Sequence, residues 1–261
     1  MDRLRLRAGV AATLLMPVFL ACGDAGPPEA LLYEVVRTLP HDSSAYTQGL
    51  LLHDGVLYES TGRYGESRVR TVDPASGEVL RDAPLDSLYF GEGLAQVGDR
   101  LIQLTWKEGT ARVLDLETLD SVGSFSYGGE GWGLCYDGTQ LWMSDGTSTL
   151  TRRDPDSFAL LGTLDVTSGG VAVFRLNELE CVDGSIWANV YQRDEIVRVD
   201  PATGRVTGIL NAAALTRDAG RLGDPEAVLN GIAWNPEAGT FYLTGKLWSR
   251  LYEVRIDEPG G

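Results

Sequence analysis

A fivefold internal repeat constrains this chain more than any other feature. Segments 46–62, 90–106, 131–145, 176–191 and 229–246 align with one another. Each opens on polar or aromatic residues, runs through an apolar stretch and breaks at a turn. The turns are His53-Asp54-Gly55, Gly98-Asp99, Asp137-Gly138, Asp183-Gly184 and Asn235-Pro236-Glu237. An alternating strand rich in β-formers follows each turn, which is the sequence pattern of a hairpin. A second hairpin follows the first, with third strands opening at Arg68, Ala111, Leu150, Ile196 and Arg250. Asp73-Pro74-Ala75-Ser76-Gly77 and Asp200-Pro201-Ala202-Thr203-Gly204 are near-identical turns in the first and fourth repeats, and Asp154-Pro155-Asp156-Ser157 fills the same place in the third. Proline presets φ there and the Asp side chain caps the turn.

Four strands per repeat, recurring roughly every 40 to 53 residues, predict an all-β chain folded as a five-bladed β-propeller with four-stranded antiparallel blades. The last repeat ends after its third strand, at Asp257, while a strand-like stretch from Leu31 to Pro40 precedes the first repeat. The N-terminal strand is therefore expected to close the last blade, removing edges that would otherwise be exposed. The alternative, an open β-sandwich, does not account for five repeats in register. The propeller domain is placed at 31–258. The 32 glycines and the scarcity of helical patterning argue against a helix bundle.

Residues 1–21 read as an export signal. Arg3, Arg5 and Arg7 precede an uncharged apolar run from Gly9 to Leu20, twelve residues long. A membrane-spanning helix needs about 20. The run ends at Phe19-Leu20-Ala21-Cys22, a small-residue cleavage site followed by cysteine, which resembles a bacterial lipobox. Lipidation at Cys22 is the expectation, with a plain signal peptide cut near Ala21 as the alternative. Residues 22–30 read as a tether. The mature protein is expected to be exported, periplasmic or cell-surface, and to touch a membrane only through the lipid. Cleavage before Cys22 removes three Arg and one Asp, taking the net charge from −15 to −17.

That acidity excludes nucleic acid as a partner, because phosphate neutralisation needs clustered Lys and Arg. Only two histidines occur, His41 and His53, which excludes most His-rich metal sites and disfavours a Ser-His-Asp triad; His53 falls in a turn and is read as inert. No CxxC or HExxH is present, so structural zinc is unsupported. Cys135 and Cys181 are free to pair in an oxidising compartment, but sequence leaves their pairing open. The glycine-rich Gly128–Gly133 precedes a strand rather than a helix and is not a nucleotide loop.

In each blade the start of the first strand and the end of the second meet at one rim. The starts supply Gln48, Glu92, Trp132, Asn177 and Gly231; the ends supply Thr61, Trp106, Asp145, Tyr191 and Lys246. A purely structural repeat would keep one residue type at each place. Here the openings differ in every blade, as a binding site or surface drift would make them. Glu92 lies between two glycines that would let a ligand approach, or stands as a solvated channel carboxylate. Lys246 is one of two lysines against 20 arginines, which reads either as a need for a compact charge or as an accidental surface lysine. Trp106, Trp132 and Tyr191 could wall a ligand or pack the rim.

Together, Tyr46-Thr-Gln-Gly-Leu50, Phe90-Gly-Glu-Gly-Leu94, Gly131-Trp-Gly-Leu134, Leu176-Asn-Glu-Leu-Glu180, Trp187-Ala-Asn-Val-Tyr191, Leu229-Asn-Gly-Ile-Ala233 and Thr244-Gly-Lys-Leu-Trp248 resemble the plant-type and bacterial glutaminyl-peptide cyclotransferases. The resemblance spans Leu31 to Asp257. It implies a five-bladed propeller that converts the N-terminal glutamine of peptides or proteins to pyroglutamate and releases ammonia, without a catalytic metal or cofactor. It leaves room for a structural ion in the channel, and a monomer is expected. By resemblance Glu92 is the general acid/base, Lys246 and Asn177 hold the γ-carbonyl oxygen, and Gln48, Trp106 and Trp132 form the substrate pocket beside Tyr46 and Phe90. Tyr191 stands where the plant enzymes carry tryptophan. Glu92 and Lys246 are expected to pair, lowering the carboxyl pKa. Two readings of other classes are a binding propeller without catalysis, and a metal-dependent hydrolase using Glu92, Asn177, Glu178 and Asp145.

Overall fold

A computed structural model of the chain describes residues 26–219 and 223–257. The export signal at 1–21, Cys22 and residue 258 lie outside the described residues, as do positions 23–25 of the tether. Among the described residues no helix is long and apolar enough to cross a membrane.

The described chain is almost entirely β. Strand β1 (Glu29–Pro40) comes first. Then follow β2 (Thr47–His53), β3 (Val56–Thr61), β4 (Arg68–Val72) and β5 (Val79–Pro84), which form one four-stranded sheet in sequence order. A second sheet holds β6 (Gly91–Val97), β7 (Arg100–Thr105), β8 (Thr110–Asp115) and β9 (Ser121–Ser126). A third holds β10 (Leu134–Tyr136), β11 (Leu141–Met143), β12 (Thr149–Arg153) and β13 (Leu160–Asp165). A small hairpin of β14 (Thr167–Ser168) and β15 (Val171–Ala172) leads into β16 (Leu176–Val182), β17 (Ser185–Val190), β18 (Glu195–Val199) and β19 (Val206–Asn211). One short helix, α1 (Ala213–Ala219), precedes β20 (Leu229–Asn235), β21 (Thr240–Gly245) and β22 (Arg250–Asp257).

The N-terminal strand carries two pairings. From Leu32 to Pro40, β1 runs antiparallel to β22, with Leu32 opposite Asp257 and Pro40 opposite Arg250. It supplies the fourth strand that the last repeat lacks. Its first residues, Glu29 to Leu31, also pair in parallel with β19. That second pairing joins the fourth and fifth four-stranded units into one eight-stranded sheet, which the repeat pattern does not foretell.

The innermost strands lie beside one another in a closed cycle, β2 to β6 to β10 to β16 to β20 and back to β2. Five apolar clusters occupy the spaces between consecutive units. Leu51, Tyr58 and Val69 of the first unit meet Leu94, Leu101 and Leu114 of the second. Leu50, Leu57 and Val72 meet Ala233, Tyr242 and Leu251 on the other side. The core is thus divided among interfaces, and each unit buries both of its faces.

The turn between third and fourth strands recurs as expected. Asp73, Asp154 and Asp200 each accept a backbone N–H from a residue two or three ahead, at 2.8–2.9 Å. Asp115 does the same for Thr118 at 2.8 Å, so the second repeat shares the turn without the proline that makes the others legible. The fifth residue takes a left-handed φ in all four: Gly77, Leu119, Phe158 and Gly204. Only glycine adopts it freely. Phe158 is held there by burial, with its ring stacked 5.6 Å from Phe125 and under the Arg153 guanidinium at 4.8 Å.

Two covalent or ionic ties bind neighbouring units. Cys135 on β10 is disulfide-bonded to Cys181 on β16, with Cα atoms 5.5 Å apart. His41, just past β1, lies with Nδ1 2.7 Å from the Trp248 carbonyl and Nε2 3.0 Å from Glu59. Burial alone would raise the Glu59 carboxyl, but His41 and Arg70 beside it hold it down at about 2.

The disulfide closes a loop of 46 residues, for which chain entropy assigns about 4 kcal/mol. Replacing both cysteines by serine is expected to lower the unfolding free energy by about that amount, measured by urea denaturation; an unchanged midpoint would show that the bond constrains nothing in the unfolded chain.

Candidate active site

Every innermost strand is irregular at its first residues. The antiparallel register slips between Thr47 and Gly49, Gly91 and Leu94, Leu176 and Leu179, and Leu229 and Ile232. In the third unit the ladder begins only at Leu134, and Trp132 and Gly133 bond to Ser144 instead. A bulge frees a residue from the ladder and re-aims its side chain. The freed residues are Gln48, Glu92, Trp132, Asn177 and Asn230.

What forces the irregularity is how close neighbouring units come. A Cβ on Gly49 would lie 2.6 Å from the Leu94 nitrogen, one on Gly93 2.6 Å from the Leu134 nitrogen, and one on Gly133 2.0 Å from the Asn177 carbonyl oxygen. Gly231, at φ 128°, is the fifth unit's equivalent of these glycines. The rim residue there is accordingly Asn230, which corrects the sequence assignment of Gly231. The fourth unit departs with Glu178. Its buried carboxyl reaches across to accept the Ile232 N–H at 3.0 Å and the Leu50 N–H at 3.4 Å, and burial, reinforced by Glu180, pushes its pKa well up.

A cavity of about 220 Å³ opens at this rim. It is lined by Tyr46, Gln48, Phe90, Glu92, Trp106, Trp132, Asn177, Tyr191 and Lys246, together with Glu226. All nine residues singled out from sequence therefore converge, although they come from all five units. The volume is below the range of about 300–1,000 Å³ typical of sites for drug-sized ligands, and suits a small group. Trp106, Tyr191 and Lys246 each directly follow the last residue of a second strand, Thr105, Val190 or Gly245. Thr61 and Asp145 do not reach the cavity. Thr61 ends the β3 ladder against Thr47 and Arg68, and Asp145 is spent on its own turn, accepting from the Thr147 N–H and hydroxyl.

The polar groups inside are fixed by a relay. Asn230 donates to the Gln48 carbonyl oxygen at 3.3 Å, which turns the Gln48 amide so that its nitrogen donates to Glu92 at 2.8 Å. Glu92 is 4% exposed. Burial pushes its pKa well above the ordinary carboxyl value; Lys246 pulls it down, and Glu130 and Glu108 push it further up. The expected lowering by a direct Glu92–Lys246 pair is thus overturned: desolvation outweighs the attraction. Lys246 instead sits over two rings, 4.6 Å from the Tyr46 centroid and 4.9 Å from that of Tyr191. Burial brings its pKa down to about 8 against the pull of Glu92 and Glu226. Asn177 is buried, and its Oδ1 has no hydrogen-bond partner in the chain.

The aromatic wall is held by two carboxylates that sequence reasoning missed. Glu130 accepts from the indoles of both Trp106 and Trp132, at 2.7 and 3.0 Å. Glu226 accepts from the hydroxyls of both Tyr46, at 2.9 Å, and Tyr191. Edge contacts of Phe90 with Tyr46 and Trp106, and of Trp132 with Tyr191, complete the wall. Glu130 stands inside the glycine-rich run that was set aside as no nucleotide loop, and Glu226 precedes the fifth repeat, so periodicity marks neither. Among the described residues no group of three or more His, Cys, Asp or Glu side chains is placed to hold a metal. Of the four suggested metal ligands, Asp145 and Glu178 are committed elsewhere.

Comparison with known proteins gives the family. The sequence profile of the glutamine cyclotransferases matches residues 10–256. The chain belongs to the glutamine cyclotransferase family. It is 42% identical over 228 residues to the glutaminyl-peptide cyclotransferase of Arabidopsis thaliana, covering 86% of this chain and 71% of that protein. The crystal structure of Myxococcus xanthus glutaminyl cyclase superposes with a TM-score of 0.84 at 43% identity, covering 88% of this chain and 98% of the other.

In this family member the spacing between the third and fourth units is set by Gly133. Gly133→Ala would drive a methyl group into the Asn177 carbonyl, and is expected to cost about 1–3 kcal/mol and to displace Asn177 from the cavity. Gly123→Ala, where the added carbon meets open space, is expected to stay within about 0.5 kcal/mol of wild type. Thermal melts of the two variants test the difference.

Proposed function

We propose that this protein is a metal-independent glutaminyl-peptide cyclotransferase built on a five-bladed β-propeller, which converts an N-terminal glutamine to pyroglutamate with release of ammonia. The single observation that carries the reading is the convergence of Glu92, Lys246 and Asn177 in one buried cavity sized for a single residue. Family membership and the named relatives support it.

The chemistry asks little beyond orientation and proton handling. Attacking amine and target amide belong to one residue, so the cavity has to hold a bent conformer. The aromatic wall supplies that shape. The α-nitrogen bonds to the γ-carbonyl carbon, giving a tetrahedral intermediate whose oxygen is negative. Lys246 and the Asn177 amide donate to that oxygen; an oxyanion donor of this type is worth roughly 2.7–4 kcal/mol. Glu92 takes the proton from the attacking nitrogen and delivers it to the departing one, the carbon–nitrogen bond breaks, and ammonia leaves. A carboxyl raised by burial is the stronger base when ionised, which suits a shuttle between two amines. Gln48 keeps the carboxyl oriented. A structural ion in the channel is compatible with this scheme.

We also place the mature protein outside the cytoplasm as a monomer anchored through Cys22. The Cys135–Cys181 bond suits an oxidising compartment, and the closed cycle of units leaves, in the four-stranded sheets of the described residues, only the short outer strands β5, β9 and β13 as exposed sheet edges.

Incubating the protein with a Gln-initiated dipeptide should release ammonia at the same rate with and without chelator. Loss of release on chelation would make it a metal enzyme, and silence in both arms would make it a binding module. Glu92→Gln is expected to abolish turnover while circular dichroism and melting temperature stay close to wild type. Near-normal ammonia release from that variant would remove Glu92 from the mechanism.

A further inference from the structure

We propose that Glu226 is a positioning residue for Lys246: its carboxylate clasps Tyr46 and Tyr191 so that their rings hold the ammonium in place, and its charge keeps that ammonium protonated throughout the reaction. The proposal rests on the cyclotransferase reading of this cavity.

The geometry is a three-sided cage. The Tyr46 and Tyr191 hydroxyls both donate to Oε2 of Glu226, which ties together two rings lying far apart in sequence. The same two rings flank the Lys246 nitrogen at 4.6 and 4.9 Å, within the range of cation–π attraction. Burial and the Glu226 carboxylate raise both phenol pKa values above the ordinary range, so the hydroxyls remain donors.

The charge argument follows from what else faces Lys246. Glu92 approaches from β6, Glu226 from the segment before β20, Tyr46 from the segment before β2 and Tyr191 from the end of β17. Glu130 and Glu108 act on Glu92. Lys246 is 3% exposed and has little water to stabilise its charge. Two carboxylates oppose that loss, Glu92 and Glu226. Glu92 carries a proton midway through the reaction and is then neutral, at the moment the oxyanion needs the ammonium most. Glu226 takes no part in proton traffic, so its field persists. The sign is fixed: the protonated lysine is the working form, so activity falls as pH rises through about 8, and removing Glu226 moves that fall to lower pH.

The chain contains only two lysines, Lys107 and Lys246. Labelling lysine with ¹³C at Cε therefore gives two signals, and Lys107→Arg assigns them. Lys246 is expected to titrate near 8 in the wild type and about one pH unit lower in Glu226→Gln. The alkaline limb of kcat/KM for a Gln dipeptide should move down equally, with kcat at pH 8 reduced about fivefold and KM changed little. Glu226→Asp should restore the limb. An unmoved Lys246 titration in Glu226→Gln overturns the proposal. Should that variant not fold, Tyr191→Phe keeps the charge and breaks one arm of the clasp: a lower kcat with an unmoved limb supports the proposal, and unchanged kcat overturns it. Wild-type protein that releases no ammonia would refute the cyclotransferase reading, whereas the lysine titration would still decide the Glu226–Lys246 coupling.

Discussion

The whole site depends on how closely the innermost strands crowd together at one rim. Backbone there approaches backbone so tightly that a single methyl group at Gly49, Gly93 or Gly133 would overlap the neighbouring unit. Crowding breaks the ladder at the first residues of each inner strand, and the broken ladder turns one side chain per unit out of the sheet. Gln48, Glu92, Trp132 and Asn177 thereby reach the cavity, and Asn230 reaches Gln48 behind it. The feature that closes the cycle of sheets is also the one that assembles the polar groups. Where the fourth unit lacks the glycine, Glu178 replaces close contact with hydrogen bonds to the backbone of two other units.

Around this constraint the electrostatics are those of a dry cavity. Glu92 and Lys246 both sit where water is scarce, and for each the cost of desolvation exceeds the attraction between them. The carboxyl rises and the ammonium falls, which brings both toward the neutral range in which proton transfer is useful. A tight ion pair would have fixed the two charges on each other. No direct ion pair forms between them; Glu92 accepts from Gln48 and Lys246 lies over the Tyr46 and Tyr191 rings. The wall repeats one device, a carboxylate joining two aromatic side chains from different units: Glu130 for the tryptophans and Glu226 for the tyrosines. Each device fixes large rings that would otherwise be free to turn.

Much of the fold was legible because its signals are local. The hairpin turns, the Asp-Pro turns and the period-two strands lie within a few residues of one another, and β2 to β13 and β16 to β22 fall where the repeats place them, while the β14–β15 hairpin lies outside the repeat pattern. The Asp115 turn was overlooked because Leu116 replaces the proline, although the Asp side chain makes the same bond. The nine cavity residues were found because each stands at the same place in a repeat, or within a matching motif, so the regular pattern exposes the irregular residue. Glu130 and Glu226 escaped because they lie between repeats, and nothing in their neighbours hints at aromatic partners up to 180 residues away.

By itself the sequence determined most of the strands, their order within each unit and the closing role of the N-terminal strand. These follow from short-range turn chemistry and from periodicity, which any contiguous segment displays. Only the tertiary structure decided that β1 also pairs with β19, that Cys135 meets Cys181, that Asn230 rather than Gly231 is the rim residue, and that Glu92 and Lys246 are kept apart. Each of those depends on distances between segments remote in the chain, or on how much water a cavity admits. Both are properties of packing, which residue order does not display.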